Sequence, residues 1–322
     1  MFRASERFQN SLPARAAIAA VLFCALILPA SSSQASGQEK EKKKPGQADQ
    51  IQKEDGKLPN EKELEKSKKT QEKAAGQAVK LSPVETIVEL TIIAYGGRKQ
   101  LETVRAAIQE EGTIRLVTDQ GDLTGDFSLR SMRREKSWQD LLRVDLILSP
   151  PGTEARPGTG VKYTIGFNGA SVWSAQNNQY ITPKPDADAS FRAQLTHEYM
   201  ALLRYKEDGS KIELVGPETV VGVDTNVVDL TNPNGEKTRF WISSKTYRIL
   251  HAEYELKRSD SQTPTKYRVS YYYTPFRVVQ NTLVPVRRAM MQDGKLVQEI
   301  ILNNITYSAK LDPEIFQHLQ EQ

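Results

Sequence analysis

Cysteine and histidine are scarce in this chain of 322 residues, which has one cysteine and three histidines. Cys24 lies inside the apolar run Ala16–Leu28, which we interpret as part of a leader that is removed. The mature chain is then expected to lack cysteine. This excludes disulfides and thiolate chemistry, so the exported protein must be stabilised by its core.

The three histidines do not form a recognisable catalytic or metal motif. His197-Glu198 begins like a zinc-protease helix, but Ala201 stands where the second ligand histidine is required. We interpret His197, His251 and His318 as surface residues. The chain also lacks a G-x-S-x-G elbow and the spacing of a phosphate-binding loop. We therefore predict a protein that is not an enzyme and uses no metal or cofactor. Carboxylates that only folding brings together remain an open alternative.

Apolar runs long enough to span a bilayer are also missing. Arg3, Arg7 and Arg15 precede Ala16–Leu28, and small residues follow it, which predicts a signal peptide over residues 1–35. The run is well short of the roughly 20 residues that a spanning helix needs, so an uncleaved anchor is the alternative. We predict a periplasmic protein with no transmembrane segment in its mature chain.

Residues 36–81 contain no aromatic residue and are rich in Lys, Glu and Gln, which predicts a disordered, charged linker. Lys42-Lys43-Lys44 is interpreted as a solvated spacer, with contact to anionic lipid as the alternative. The leader carries a net charge of +2 and the linker +3, so a total of +4 leaves the folded part at −1. A nearly neutral domain argues against nucleic acid as a partner.

One short apolar helix opens the remaining segment, residues 82–322. Ser82 and Glu85 have the spacing of a capping box, Pro83 suits the first helical position, and Gly96 predicts the end of the helix. Apolar residues cover more than half of the circumference between Val84 and Tyr95. Such a helix needs apolar surface on most sides, so we interpret it as a plug against a sheet.

Most of the rest has the pattern of antiparallel strands. Apolar residues alternate with polar ones over Leu142–Leu148 and Leu250–Leu256. Asn168-Gly169, Asn234-Gly235 and Asp293-Gly294 predict hairpin turns. A second helical insertion is predicted over Asp188–Tyr205. The predicted class is α+β: a strongly curved antiparallel sheet, or half-barrel, with a helical lid or plug on its concave face.

Several short segments, taken in order, resemble the outer-membrane lipoprotein-sorting superfamily, the relatives of the periplasmic lipoprotein carrier. They begin with Ile92–Gly97, followed by Gly166–Ala170 with Trp173, and end with Leu283-Val284-Pro285 and Asp312–Phe316. The resemblance covers Ser82–Phe316. It implies a half-barrel with a helical lid around an apolar cavity that holds acyl chains or senses lipidated partners.

The resemblance, the apolar helix and the aromatic strands together predict a non-enzymatic binder of a lipid or a lipidated protein. The predicted cavity contacts are Ile87, Tyr95, Phe167 and Trp173. The aromatic residues equally suit a filled core. The alternative function is therefore an envelope interaction or sensor module with an envelope protein as its partner.

Export is expected to leave a mature chain that begins near Ser36. The intact mass of the exported protein measures this directly. A mass that still includes Ala16–Leu28 would contradict the prediction of a cleaved signal peptide.

Overall fold

The computed structural model describes residues 81–149, 160–257 and 266–317. The predicted leader, nearly all of the predicted linker and His318 lie outside the described residues.

The first helix forms where its capping residues predict it. Helix α1 spans Pro83–Ala94 and α2 spans Arg98–Val104. The Ser82 backbone N–H donates to Glu85 Oε2 at 2.9 Å and the Glu85 N–H donates to Ser82 Oγ at 3.4 Å, so the capping box is confirmed. Gly96 follows with φ 118°, a conformation that glycine adopts without strain.

Fifteen strands occur among the described residues, and every pair of neighbours is antiparallel. They are β1 Ala107–Thr118, β2 Gly121–Met132, β3 Leu141–Ser149, β4 Val161–Phe167, β5 Val172–Gln176, β6 Gln179–Ile181, β7 Lys211–Val220, β8 Val223–Thr231, β9 Lys237–Ser243, β10 Ile249–Lys257, β11 Lys266–Tyr273, β12 Phe276–Val279, β13 Thr282–Pro285, β14 Arg287–Gln292 and β15 Lys295–Tyr307. Strands β12 and β13 form a separate hairpin. The other thirteen form one sheet in the order β6-β5-β4-β3-β2-β1-β15-β14-β11-β10-β9-β8-β7.

The predicted helical insertion is present as three short helices. They are α3 Pro185–His197, α4 Tyr199–Leu203 and α5 Tyr205–Asp208. Glu198 separates α3 from α4 because its backbone is extended, with φ −68° and ψ 164°. The chain therefore changes direction at Glu198, which the helical spacing of the sequence did not predict.

The helices cover one face of the sheet and bury two apolar clusters there. The first cluster joins α1 and α4 to the strands from β8 to β11, and it includes Val88, Tyr95 and Phe240. The second joins α3 to strands β1–β5, and it includes Leu146 and Phe191. The residues of Leu142–Leu148 that the alternation predicts to be buried lie in the second cluster.

The α+β class is confirmed, but the half-barrel is not. Strands β6 and β7 are the two edges of the large sheet, which is neither closed nor strongly curled. The half-barrel curvature that the strand pattern and the resemblance both predicted is therefore unconfirmed. Within the described ranges, no helix has the length and apolar character to cross a membrane.

Replacing Ser82 by alanine is expected to lower the free energy of unfolding by about 1 kcal/mol, because the N-terminal cap of α1 is lost. Ser82→Asp is the matched control, since aspartate accepts the same backbone hydrogen bond. Urea denaturation of both variants measures the difference. Equal stability of Ser82→Ala and Ser82→Asp would contradict a capping role.

Candidate functional site

A cavity of about 100 Å³ lies between the α3–α4 junction and strands β1, β2, β3 and β14. Apolar and charged side chains both line it. Leu129, Leu142 and Leu195 are among the apolar ones. The charged lining residues are Arg105, Glu110, Arg133, Asp140, Glu198, Arg204 and Arg288. Charged side chains therefore share this lining with apolar ones, whereas the sequence predicted an apolar cavity.

The inner end of the cavity contains an ion pair within the protein core. Arg288 Nη2 donates to Glu110 Oε1 at 2.7 Å, and the two side chains are 7% and 5% exposed. Two further atoms of the pair, Arg288 Nε and Glu110 Oε2, are buried and have no hydrogen-bond partner among the described residues. Buried polar atoms of this kind are rare in native proteins and often mark a functional group or a missing ligand.

Arg105 lies beside this pair and ties the helices to the β12–β13 hairpin. Its Nη1 donates to the Tyr199 hydroxyl at 3.0 Å, and its Nη2 donates to the Leu283 carbonyl at 2.7 Å. Its Nε has no partner in the described part of the chain, and neither does Gln194 Nε2 of α3. We call Arg105, Glu110, Gln194, Glu198 and Arg288 the inner cluster.

The outer end of the cavity is a satisfied ionic network. Arg204 Nη1 donates to Asp140 Oδ2 at 2.6 Å, and Arg204 Nε donates to Glu207 Oε2 at 3.1 Å. Arg133 pairs with the same Glu207 carboxylate. These bonds hold α4 and α5 against the segment before β3. Unlike the inner cluster, this end has no buried arginine nitrogen without a partner in the described part of the chain.

Burial changes the protonation of two acids that line the cavity. Burial raises the pKa of Glu198, although the charge of Arg288 opposes this shift. Burial also raises the pKa of Asp140 to about 6, against the opposing charge of Arg204. Both acids therefore hold their protons more readily than usual. Independently of this, four arginines and three acids line the cavity.

The structure brings only two of the four predicted contacts into one cluster. Ile87 is half-buried and packs against the first cluster, and Tyr95 is fully buried within it. The Tyr95 ring lies 5.7 Å from the Tyr199 ring, and its hydroxyl accepts a hydrogen bond from the Ile249 N–H at 3.3 Å. Phe167 belongs to the second cluster.

Trp173 lies on the opposite face of the sheet. It pairs with Gly166, so its side chain points away from that of Phe167 on the neighbouring position. Its indole Nε1 donates to the Phe316 carbonyl at 2.8 Å, beneath the C-terminal turn Pro313–Phe316. The structure thus separates Trp173 from the three other predicted contacts.

Two of the three predicted surface histidines are buried, so that prediction is wrong for them. His197 is 3% exposed, because its ring stacks on Tyr254 at 4.0 Å and its Nδ1 lies 2.6 Å from Thr238 Oγ1. His251 is 5% exposed on the other face, where Trp241 packs against it. Burial lowers the pKa of each histidine to about 4.

The motifs of the sequence did not predict the inner cluster, but the strand pattern contains a sign of it. Glu110 is in phase with Ile108, Ile114 and Leu116 along β1, so an acid occupies a position of the buried face. Arg288 likewise shares the phase of Met290. A charge at an inward position is the pattern that identifies these residues.

Solved structures to which the chain is similar include the following three. A DUF1329 family protein from Desulfovibrio piger is 15% identical and covers 74% of this chain and 98% of its own, with a TM-score of 0.48. A LolA superfamily protein from Nitrosomonas europaea is 16% identical with the same coverage and a TM-score of 0.46. An outer membrane lipoprotein-sorting protein domain from Vibrio parahaemolyticus is 15% identical and covers 72% of this chain and 94% of its own, with a TM-score of 0.45.

The predicted resemblance to the lipoprotein-sorting superfamily is confirmed as a likeness to these structures. No family model matches the chain, and no curated protein matches it.

Across the described segments, no group of three or more His, Cys, Asp or Glu residues is placed to hold a metal ion. The inner cluster is therefore the strongest candidate for a functional site.

The stability of the protein is expected to fall as the pH drops from about 6.5 to 4. The folded state keeps His197 neutral, whereas the unfolded chain binds a proton below pH 6.5, so this stabilisation is complete above 6.5 and is lost on acidification. The shift corresponds to roughly 2–3 kcal/mol for His197 by pH 4.5. Asp140 titrates in the opposite direction, so the measured quantity is the difference between wild type and His197→Gln.

Urea denaturation at several pH values gives this difference. His197→Gln is expected to have a flatter pH dependence than wild type between pH 6.5 and 4.5, and His251→Gln should behave similarly. Parallel curves for wild type and both variants would contradict the burial of neutral histidine.

Proposed function

We propose that this protein is a non-enzymatic binder of a lipid, or of the acyl chains of a lipidated protein, in the periplasm of a two-membrane envelope. The acyl chain occupies the interface between the helices and the sheet after the helices move apart from it. The main support is the concentration of buried polar atoms without partners in the inner cluster.

These unpartnered atoms make the closed interface less stable than a fully satisfied core. Each buried polar group without a hydrogen bond costs about 1–3 kcal/mol. Arg105 Nε, Arg288 Nε, Glu110 Oε2 and the Tyr273 hydroxyl all lie on the helix-covered face without a partner in the described structure. A ligand that satisfies some of them favours a form in which the helices and sheet are separated.

The closed form itself has no room for an acyl chain. A cavity of about 100 Å³ corresponds to roughly three water molecules at about 30 Å³ each. A ligand with a long chain must therefore displace side chains of the first cluster. Helix α1 is the first described element, and it covers that cluster. It is therefore the element best placed to move.

The bonds that fasten α1 to the sheets are few and long. The Leu283 N–H donates to the Tyr95 carbonyl at 3.4 Å, and the Ile249 N–H donates to the Tyr95 hydroxyl at 3.3 Å. The shorter contacts of α1 run to neighbouring helices, where Glu89 accepts from Arg98 at 2.7 Å and pairs with Lys206 at 2.8 Å. We infer that α1 moves together with these helices. Ile87 and Tyr95 then contact the acyl chain of the ligand.

The proposal also includes the location and the partners that the sequence predicts. The leader favours export, and the charged linker gives the domain reach from an anchored partner. We also propose that the sheet adopts the half-barrel curvature implied by the resemblance when the ligand is bound.

A neutral fluorescent probe tests the proposal with a matched control. N-phenyl-1-naphthylamine is expected to bind the mature protein saturably, and Ile87→Trp should weaken this binding because it fills the interface. Trp173→Ala is the control: it should lower stability by about 3–5 kcal/mol yet keep the binding, because Trp173 lies on the opposite face.

Native mass spectrometry after gentle purification should in addition find copurified lipid. The absence of both saturable probe binding and copurified lipid would refute the proposal.

A second candidate function, a filled module that binds a protein partner, is favoured by one hairpin. Val221 is 89% exposed at the β7–β8 turn with φ 49°, a conformation that β-branched residues rarely adopt. An exposed apolar side chain in a strained turn suits a contact surface. This function predicts a stable domain without saturable probe uptake, so the same experiment distinguishes the two.

A further inference from the structure

The free hydrogen-bonding atoms of the inner cluster are mostly donors. Arg105 Nε, Arg288 Nε and Gln194 Nε2 each carry an unused N–H, whereas Glu110 Oε2 is the one unused acceptor among the buried lining atoms of the described cavity. Arg105 and Arg288 are 3% and 6% exposed, so bulk water does not satisfy them. The ligand chemistry that matches this set is an acceptor group.

The charges of the cavity select an anionic acceptor. Four arginines and three acids line it, and two of these acids, Asp140 and Glu198, have raised affinity for a proton. Arg204 pairs with Asp140 and Glu207, and Arg133 pairs with Glu207, so the arginines with a buried, unpartnered nitrogen are Arg105 and Arg288. Hydrogen bonds between an arginine and an ionised acceptor are about twice as strong as neutral ones.

The unpartnered donors and the size of the cavity narrow the chemical class of the ligand further. The Nη1 and Nη2 atoms of Arg105 already donate to Tyr199 and Leu283, so its Nε is the buried nitrogen that has no partner in the described part of the chain. Arg288 Nε is likewise buried without a partner there, while Arg288 Nη2 donates to Glu110. Two unpartnered Nε–H groups suit the two oxygens of a carboxylate, and about 100 Å³ admits three heavy atoms more readily than a glycerophosphate.

We propose that the inner cluster binds the carboxylate of a long-chain fatty acid, whose chain extends from Arg105 and Arg288 into the helix–sheet interface. This inference rests on the proposed function, because the chain occupies the interface described there. It adds selection for the ionised head group, which a purely apolar pocket does not provide.

Laurate and dodecanol form a pair of probes that separates these two cases. They share a twelve-carbon chain, but laurate is ionised at pH 8 and dodecanol is neutral. Moving a charge out of water is costly, so an apolar pocket without the arginines favours dodecanol. Laurate is expected to displace N-phenyl-1-naphthylamine from the mature protein at about a tenfold lower concentration than dodecanol, the effect of one charge-assisted hydrogen bond.

Gln194→Glu is the decisive variant, because it introduces a carboxylate into the cavity without removing an existing side-chain hydrogen bond of Gln194 Nε2. The new charge repels laurate and competes for the arginines, so the tenfold preference should disappear while dodecanol still binds. Gln179→Glu on the exposed edge strand β6 makes the same chemical change on the surface. It should retain the wild-type preference.

The outcomes distinguish the two proposals. Equal displacement by laurate and dodecanol in wild type, or a preference that persists in Gln194→Glu, would overturn the carboxylate site and leave the lipid-binding function intact. If neither compound displaces a saturably bound probe, the carboxylate site also fails, whereas the proposed function fails only if the probe does not bind and no lipid copurifies. Acetate and inorganic phosphate are tested alone by thermal unfolding. If either anion stabilises wild type and this effect is lost in Gln194→Glu, the inner cluster binds a free anion. That result would overturn the proposal that its ligand is a fatty acid.

Discussion

The ion pair between Glu110 and Arg288 lies at the centre of the helix-covered face, and the arrangement of the interior depends on it. The two residues belong to β1 and β14, which are separated in the sheet by β15 alone. One apolar cluster lies on the β8–β11 side of the pair and the other on the β1–β5 side. Removing one partner of such a buried pair typically costs 3–5 kcal/mol, so both charges must remain together when the protein folds.

The break between α3 and α4 allows one helical insertion to serve both clusters. Because Glu198 is extended, His197 packs on Tyr254 while the next residues turn toward the cavity. Tyr199 then reaches Arg105 and also lies 5.4 Å from the Tyr273 ring. An uninterrupted helix would direct these side chains along a single stripe. The insertion therefore completes the charged site as well as covering the sheet.

Local signals predicted the elements of the fold better than its interior. The capping box at Ser82, the turn at Asn234-Gly235 and the alternation of Leu142–Leu148 depend on residues near one another in sequence. The burial of His251 depends on Trp241 and Tyr272 from neighbouring strands, which cover the face that was expected to be wet. The inner cluster combines β1, β14 and the helical insertion, so no window of the sequence contains it.

The residues that violate the alternation of the strands are the ones that meet at the cavity. Glu110 and Arg288 occupy inward positions where apolar residues would pack without a desolvation cost. Their pairing leaves Glu110 Oε2 and Arg288 Nε without a partner in the described structure, and Arg105 adds a third buried charge whose Nε is also unpartnered there. A sequence under selection for stability alone would fill these positions with Leu or Val, as it does elsewhere along β1 and β3. Their placement is therefore better explained by a ligand group that completes the missing hydrogen bonds than by the requirements of folding.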